Sequence, residues 1–167
     1  QEEKEVAAHT DIDDEDQTIY FPDIKTNATD KADGNKVLAP DEMVTVMDVV
    51  SYKNLIAGKE YTVKGVLMDK GTNAPFLVNG AEITASKTFT PERADGTVTL
   101  EFTFHTKDLD GKTLVVFETL YLKGKEVGTH TDINDVAQTV RVRTPDEPEI
   151  STDAKDSETE DHISNPD

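Results

Sequence analysis

Residues 97–105 read Thr-Val-Thr-Leu-Glu-Phe-Thr-Phe-His, and their strict alternation decides the fold. Successive side chains of an extended strand point to opposite faces. Val98, Leu100, Phe102 and Phe104 therefore share one face, and Thr97, Thr99, Glu101, Thr103 and His105 share the other. One side is core and the other is wet, as in a sheet covered on a single face. Outward from this strand, Val44–Tyr52, Tyr61–Asp69, Glu82–Thr90, Thr113–Lys123 and Gln138–Arg143 are also rich in β-branched and aromatic residues. Turn signals at Asn54–Gly58, Asn79-Gly80, Asp95-Gly96, Asp110-Gly111 and Lys123-Gly124 separate these runs. Six or seven short strands at this spacing point to an all-β fold, a β-sandwich of the immunoglobulin-like kind.

The chain of 167 residues carries a formal net charge of −18, no Cys and no Trp, and 35% of its residues are hydrophobic. Without Cys there are no disulfides and no thiol chemistry, which leaves covalent reactions to oxygen and nitrogen nucleophiles. The acidic balance argues against a nucleic-acid surface, and no apolar run is long enough to span a membrane. The excess charge lies at the ends. Residues 1–16 hold eight acids and one Lys, residues 144–167 hold nine acids and one Lys, and the intervening stretch holds 18 acids against 15 bases. A central domain of ordinary charge is thus flanked by acidic segments, which are expected to be at best partly ordered.

Internal repetition explains those segments. Glu5–Thr18 (EVAAHTDIDDEDQT) returns as Glu126–Thr139 (EVGTHTDINDVAQT), identical at nine of fourteen positions. The frame Pro22-x-Ile-x-Thr26-x-Ala28 returns as Pro148-x-Ile-x-Thr152-x-Ala154. The chain therefore reads as a slice of a tandem array. Residues 1–20 are the last-strand remnant of a preceding repeat, 21–143 a complete domain, and 144–167 a linker and the start of a following repeat. His9, Asp14 and Gln17, then Thr152, are the neighbouring repeats' counterparts of His130, Asp135, Gln138 and Thr26.

Alternation also exposes polar side chains on core faces. Thr26 shares its face with Ile24 and Ala28, and Gln138 shares its face with Val140 and Val142. Glu118 sits among Leu114, Val116, Leu120 and Leu122, and Asp48 lies inward between Val46 and Val50. A buried polar group needs a partner, and a buried carboxyl without a compensating cation is expected to stay protonated. Acidic loops raise the question of calcium, but Asp11–Asp16 lacks the sixth-position Gly and Asp132–Val136 has Val at the fifth. No metal or cofactor is expected.

Taken together, these motifs resemble the VaFE repeats of Gram-positive surface proteins, also called Thr-Gln ester-bond domains. The resemblance rests on Pro-x-Ile-x-Thr26-x-Ala, Asp48-Val-Val-Ser-Tyr52-x-Asn-Leu-x-x-Gly-Lys-Glu-Tyr61, Val116-Phe-Glu118 and His130-x-Asp-Ile-Asn-Asp135-x-x-Gln138-Thr. It implies an immunoglobulin-like sandwich in which a first-strand Thr and a last-strand Gln join through an ester with release of ammonia. Thr26 would be the nucleophile and Gln138 the electrophile, assisted by His130, Asp135 and Glu118. It further implies a stalk domain of an adhesin anchored to the cell wall, outside the cell. Adjacent repeats would be its partners, and a host ligand would be bound by another domain.

The chemistry is coherent in its own terms. A Thr hydroxyl needs a base, which a neutral His supplies. An amide needs a proton donor, which a carboxylic acid supplies if Asp135 or Glu118 holds a shared proton. The reaction happens once per molecule, so the domain is not an enzyme in the turnover sense. Closing a loop of roughly 110 residues would stabilise the fold by about 4–5 kcal/mol on the chain-entropy account. Two other readings compete: a Lys-Asn isopeptide using Lys25 or Lys36, and an uncrosslinked ligand-binding adhesin module.

Overall fold

The computed structural model describes residues 21–146, and every regular element among them is a strand. In chain order these are β1 (Asp23–Asp30), β2 (Val37–Leu38), β3 (Met43–Lys53), β4 (Tyr61–Asp69), β5 (Ala74–Pro75), β6 (Leu77–Val78), β7 (Ala81–Glu82), β8 (Thr84–Phe89), β9 (Gly96–His105), β10 (Thr113–Leu122), β11 (Lys125–His130) and β12 (Thr139–Val142). Twelve exceed the six or seven expected, for two reasons. Four of them are two residues long, too short to show a period. The fifth, β11, reads Lys-Glu-Val-Gly-Thr-His and has no alternation to see.

The strands form a sandwich. One sheet has the order β1-β3-β9. The other has the order β2-β12-β10-β4-β5, with β11 also pairing β10 and β8 also pairing β4, and β6 and β7 make a separate hairpin. The alternation of β9 is realised: Val98, Leu100, Phe102 and Phe104 are buried, and Thr97, Glu101, Thr103 and His105 are exposed. They meet Val44, Val46 and Val50 of β3 beside them and Val63, Leu67, Leu114, Val116, Leu120, Val140 and Val142 of the facing sheet in one continuous core. The β10–β11 and β6–β7 hairpins turn on Lys123-Gly124 and Asn79-Gly80. All four residues have positive φ, the two-residue turn whose twist suits antiparallel strands.

Two features of this frame shape the interior between the sheets. The first is that β10 changes neighbours. Its first residues pair β12 (Thr113–Val115), whereas Glu118–Leu122 pair β11. The chain leaves β11 at His130, opposite Glu118, and re-enters the sheet at Thr139, so residues 131–138 form a loop over a gap in the sheet. The second is that Glu118 is paired on its other side with Gly65 of β4. A Cβ there would fall 2.6 Å from Cζ of Phe102 and 2.9 Å from Cδ1 of Leu100. The missing side chain lets those two residues of the opposite sheet close over the interior beside Glu118.

The chain enters and leaves at opposite ends of the long strand β3. Phe21 is held at the C-terminal end, where its carbonyl accepts from Nδ2 of Asn54 at 3.2 Å. Arg143 is held at the N-terminal end, its N–H donating to the Leu38 carbonyl at 3.0 Å. The acidic tails, with His9, Asp14, Gln17 and Thr152, lie outside the described residues. Because Phe102 and Leu100 cannot withdraw without opening the core, Gly65→Ala should cost about 1–3 kcal/mol. A urea unfolding curve coincident with that of the parent would contradict this packing.

Candidate functional site

Four buried side chains converge between the sheets. Thr26 (6% exposed) stands on β1, Asp48 (0%) on β3, Glu118 (0%) on β10, and Gln138 (0%) in the turn just before β12. Register explains the convergence. Ala28 pairs Asp48 and Thr26 pairs Val50, so Thr26 and Asp48 are diagonal neighbours on the inward face of one sheet. Glu118 points at them from the facing sheet, at the point where β11 and β12 part. Gln138 ends the bridging loop and fills that gap. Its carbonyl accepts from the Val116 N–H at 3.0 Å. Its Nε2 donates to Oε2 of Glu118 at 2.6 Å and to the His130 carbonyl at 3.2 Å.

Among the described residues, the buried side-chain polar atoms that lack a hydrogen-bond partner are Oγ1 of Thr26, both oxygens of Asp48, Oε1 of Glu118 and Oε1 of Gln138. All five belong to this cluster. Native interiors rarely leave such atoms unpaired, and where they do the reason is often chemical. Here the reason is visible in part: two carboxylates are both acceptors and have nothing to donate to each other. One proton shared between Asp48 and Glu118 converts the contact into a hydrogen bond. Burial raises the Glu118 carboxyl to about 11, reinforced by the charge and hydrogen bonding of Asp48 and opposed by Gln138 and Thr26. Burial raises Asp48 too, opposed by Glu118, Lys36, His130 and Thr26. The Thr26 hydroxyl makes no hydrogen bond of regular geometry, yet it lies near enough to influence both acids.

Asp135 has a different environment. Its side chain is 26% exposed and its Oδ2 lies 2.6 Å from Nε2 of His130. Oδ1 accepts from the Ala137 N–H at 2.8 Å. The Asp135 carbonyl takes the Thr139 hydroxyl at 2.6 Å. Burial acts to raise its pKa, but His130 and the backbone N–H groups of Ala137 and Gln138 outweigh it, and the net shift is downward. Asp135 is therefore ionised and orients His130 while shaping the loop. Of the two acids expected to hold a shared proton, Glu118 has the environment for it, and its partner in sharing is Asp48 rather than Asp135. The alternation of β3 marks Asp48 as inward but cannot show which acid it faces.

Lys36, which the sequence offers only as an isopeptide amine, reaches this region from the turn before β2. Its Nζ donates to the Ala28 carbonyl, to the Ala137 carbonyl at 2.6 Å and to Oδ1 of Asn27 at 2.8 Å. Lys25 is exposed on the outer face of β1. No group of three or more His, Asp or Glu side chains among the described residues could hold a metal ion.

An all-β sandwich whose first strand and last turn bring a Thr and a Gln onto a pair of buried acids defines a narrow class of protein. The chain belongs to the family described as T-Q ester bond containing domain, which matches residues 1–21 and 22–142. No curated protein matches. In two crystal forms, P1 and P21, a bacterial adhesin from Mobiluncus mulieris containing intramolecular disulfide, isopeptide and ester bond cross-links has a similar fold. The TM-scores are 0.62 and 0.61 at 18% and 19% identity, over 74% of this chain and 57% of that one. This chain thus spans little more than half the length of the adhesin it matches.

A proton bound more tightly in the folded state than in the unfolded state stabilises the fold at low pH. For Glu118 that contribution is complete below the ordinary value of 4.5 and drains as pH rises toward about 11, at no more than about 1.4 kcal/mol per pH unit. Asp48 acts with the same sign. Asp135, shifted downward, acts oppositely but only in acid. A Thr26→Ala chain should therefore melt at progressively lower temperature between about pH 5 and pH 9, and adding Glu118→Gln should flatten the trend. A level profile in Thr26→Ala alone would contradict the shared-proton assignment.

Proposed function

We propose that this domain is a structural stalk module of a bacterial surface adhesin, exposed outside the cell on a wall-anchored chain, and that it crosslinks itself once by an ester between Thr26 and Gln138. The observation that carries the reading is the coincidence of every orphaned buried side-chain polar atom among the described residues with the Thr, the Gln and the two acids between them. In the reaction, Oγ1 of Thr26 bonds to the side-chain carbonyl carbon of Gln138. The carbon–nitrogen bond then breaks, and one proton passes in net from the Thr oxygen to the departing nitrogen. The products are an ester and ammonia, and no other reactant is consumed.

We assign each residue a task in this reaction. His130 is the base for the Thr26 hydroxyl. Ionised Asp135 accepts from Nε2 of the imidazole, which leaves the lone pair of Nδ1 to take the proton. Glu118, sharing a proton with Asp48, accepts from the leaving nitrogen at Oε2 and is the acid that protonates it, and the proton taken by His130 returns to the acid pair as ammonia leaves. The fold holds the reactants at high effective concentration, and Phe102 and Leu100 keep water from the product.

The strand order supports the mechanical role. The chain enters at one end of β3 and leaves at the other, so tension would run along β1, across the ester and out through β12. Everything between the two linked residues is bypassed. Repetition of the site motifs in residues 1–21, which match the same family, supports a tandem array with adjacent repeats as the partners. A Lys-Asn isopeptide has weaker support, because Lys25 faces outward and Lys36 meets Asn27 only at the exposed rim. An uncrosslinked ligand-binding module would leave the buried cluster unexplained.

The intact denatured chain should be lighter than its sequence mass by one ammonia, and Thr26→Ala should restore the full mass and lower the melting temperature. Hydroxylamine should open the wild-type bond, as it does an ester. Full mass in the folded wild type would overturn the proposal. A lost ammonia that resists hydroxylamine would redirect it to an amide crosslink.

A further inference from the structure

Lys36 combines two features that the crosslinking residues do not account for. Its backbone is fixed to the last strand: the Lys36 carbonyl accepts from the Arg141 N–H at 2.9 Å, and the next residue, Val37, pairs in parallel with Arg141. Its side chain then turns back across the site, and the three protons of its ammonium meet three acceptors: the carbonyls of Ala28 and Ala137 and Oδ1 of Asn27. Ala28 lies two residues beyond Thr26 on β1, and Ala137 is the immediate neighbour of Gln138. The Ala137 carbonyl also accepts from the Ala28 N–H at 2.9 Å. One cation and one backbone hydrogen bond thus tie the nucleophile's strand to the electrophile's loop.

This tie is placed where the sheets alone supply little. β1 is hydrogen-bonded along its length to β3, in the sheet opposite β12, and Gln138 sits in a turn rather than within a strand. Ladder hydrogen bonds therefore do not fix the distance between residues 26 and 138, whereas the contacts at Ala137 do. The cation also stands near both Asp48 and Asp135, whose charges oppose the lowering of its pKa by burial. The half-buried ammonium consequently has acceptors for its protons and anions for its charge.

We propose that Lys36 is a positioning residue for ester formation, clamping β1 to the 131–138 loop so that the Thr26 hydroxyl and the Gln138 carboxamide are held in register before any bond exists. The inference rests on the Thr26–Gln138 reading. It also gives Lys36 a role other than that of an isopeptide amine, since an ammonium donating three hydrogen bonds to oxygen has no lone pair with which to attack.

The chain can be assembled unreacted from synthetic peptides in urea, where it cannot fold and bond, and then refolded by dilution. Folding is then followed by circular dichroism and ester formation by loss of ammonia in timed, acid-quenched samples. Lys36→Met should fold yet form the bond at least about tenfold more slowly than wild type, since small displacements of reacting groups cost rate steeply. Lys36→Arg, which keeps the charge and several donors, should recover most of that rate. Should Lys36→Met fail to fold, Lys36→Gln takes its place with the same expectation. A folded Lys36→Met or Lys36→Gln chain that bonds within about twofold of wild type overturns the proposal and leaves the ester reading intact. Failure of Lys36→Arg to exceed Lys36→Met also overturns it. A wild-type chain that folds and loses no ammonia removes both together.

Discussion

Two carboxyl groups facing each other in a dry interior, Asp48 from one sheet and Glu118 from the other, are the constraint on which the rest of the structure depends. Ionising both would place two like charges in a medium that screens them poorly, so one proton stays between them. That proton makes the interior habitable for polar groups. It gives the acids a hydrogen bond to each other and leaves Glu118 able to receive the Gln138 amide through its other oxygen. The result is a core that is polar at its centre, enclosed by Leu100, Phe102 and the bare backbone of Gly65.

The frame around the pair is arranged to bring chain ends to it. β1 supplies Thr26 on the same face as Asp48. The parting of β11 and β12 beside Glu118 opens a gap, and the loop that spans it delivers His130 at its start and Gln138 at its end. Ionised Asp135 stiffens that loop through His130, the Ala137 N–H and the Thr139 hydroxyl. The two acids nearest the loop and core thus do opposite work: Asp135 is partly exposed and anionic and organises backbone, while Glu118 is buried and protonated and faces Thr26 and Gln138.

Much of this is legible in the sequence, because a strand's period is a local property. Thr26, Asp48 and Glu118 can each be assigned to an inward face from their immediate neighbours alone. Gln138 can too, although it proves to lie one residue ahead of its strand. The family resemblance adds the pairing of Thr26 with Gln138. What the pattern cannot supply is which inward positions meet across the two sheets, since that depends on sheet packing and not on spacing. Asp48 is therefore visible as a buried acid but not as the partner of Glu118, and Asp135 passes for a holder of the proton. Lys36 is less legible still. It sits in a turn, where no period applies, and its three acceptors are backbone and amide oxygens on segments distant in sequence.

The most direct test of the account is a carbon NMR titration of the Thr26→Ala chain with the side-chain carboxyls of Asp and Glu labelled. At neutral pH the account predicts one carboxyl proton retained in the interior, with the Glu118 signal titrating far above the ordinary carboxylate range, the Asp48 signal shifted upward, and the retained proton vanishing on Glu118→Gln. Two fully ionised carboxylates at neutral pH in the folded chain would contradict it.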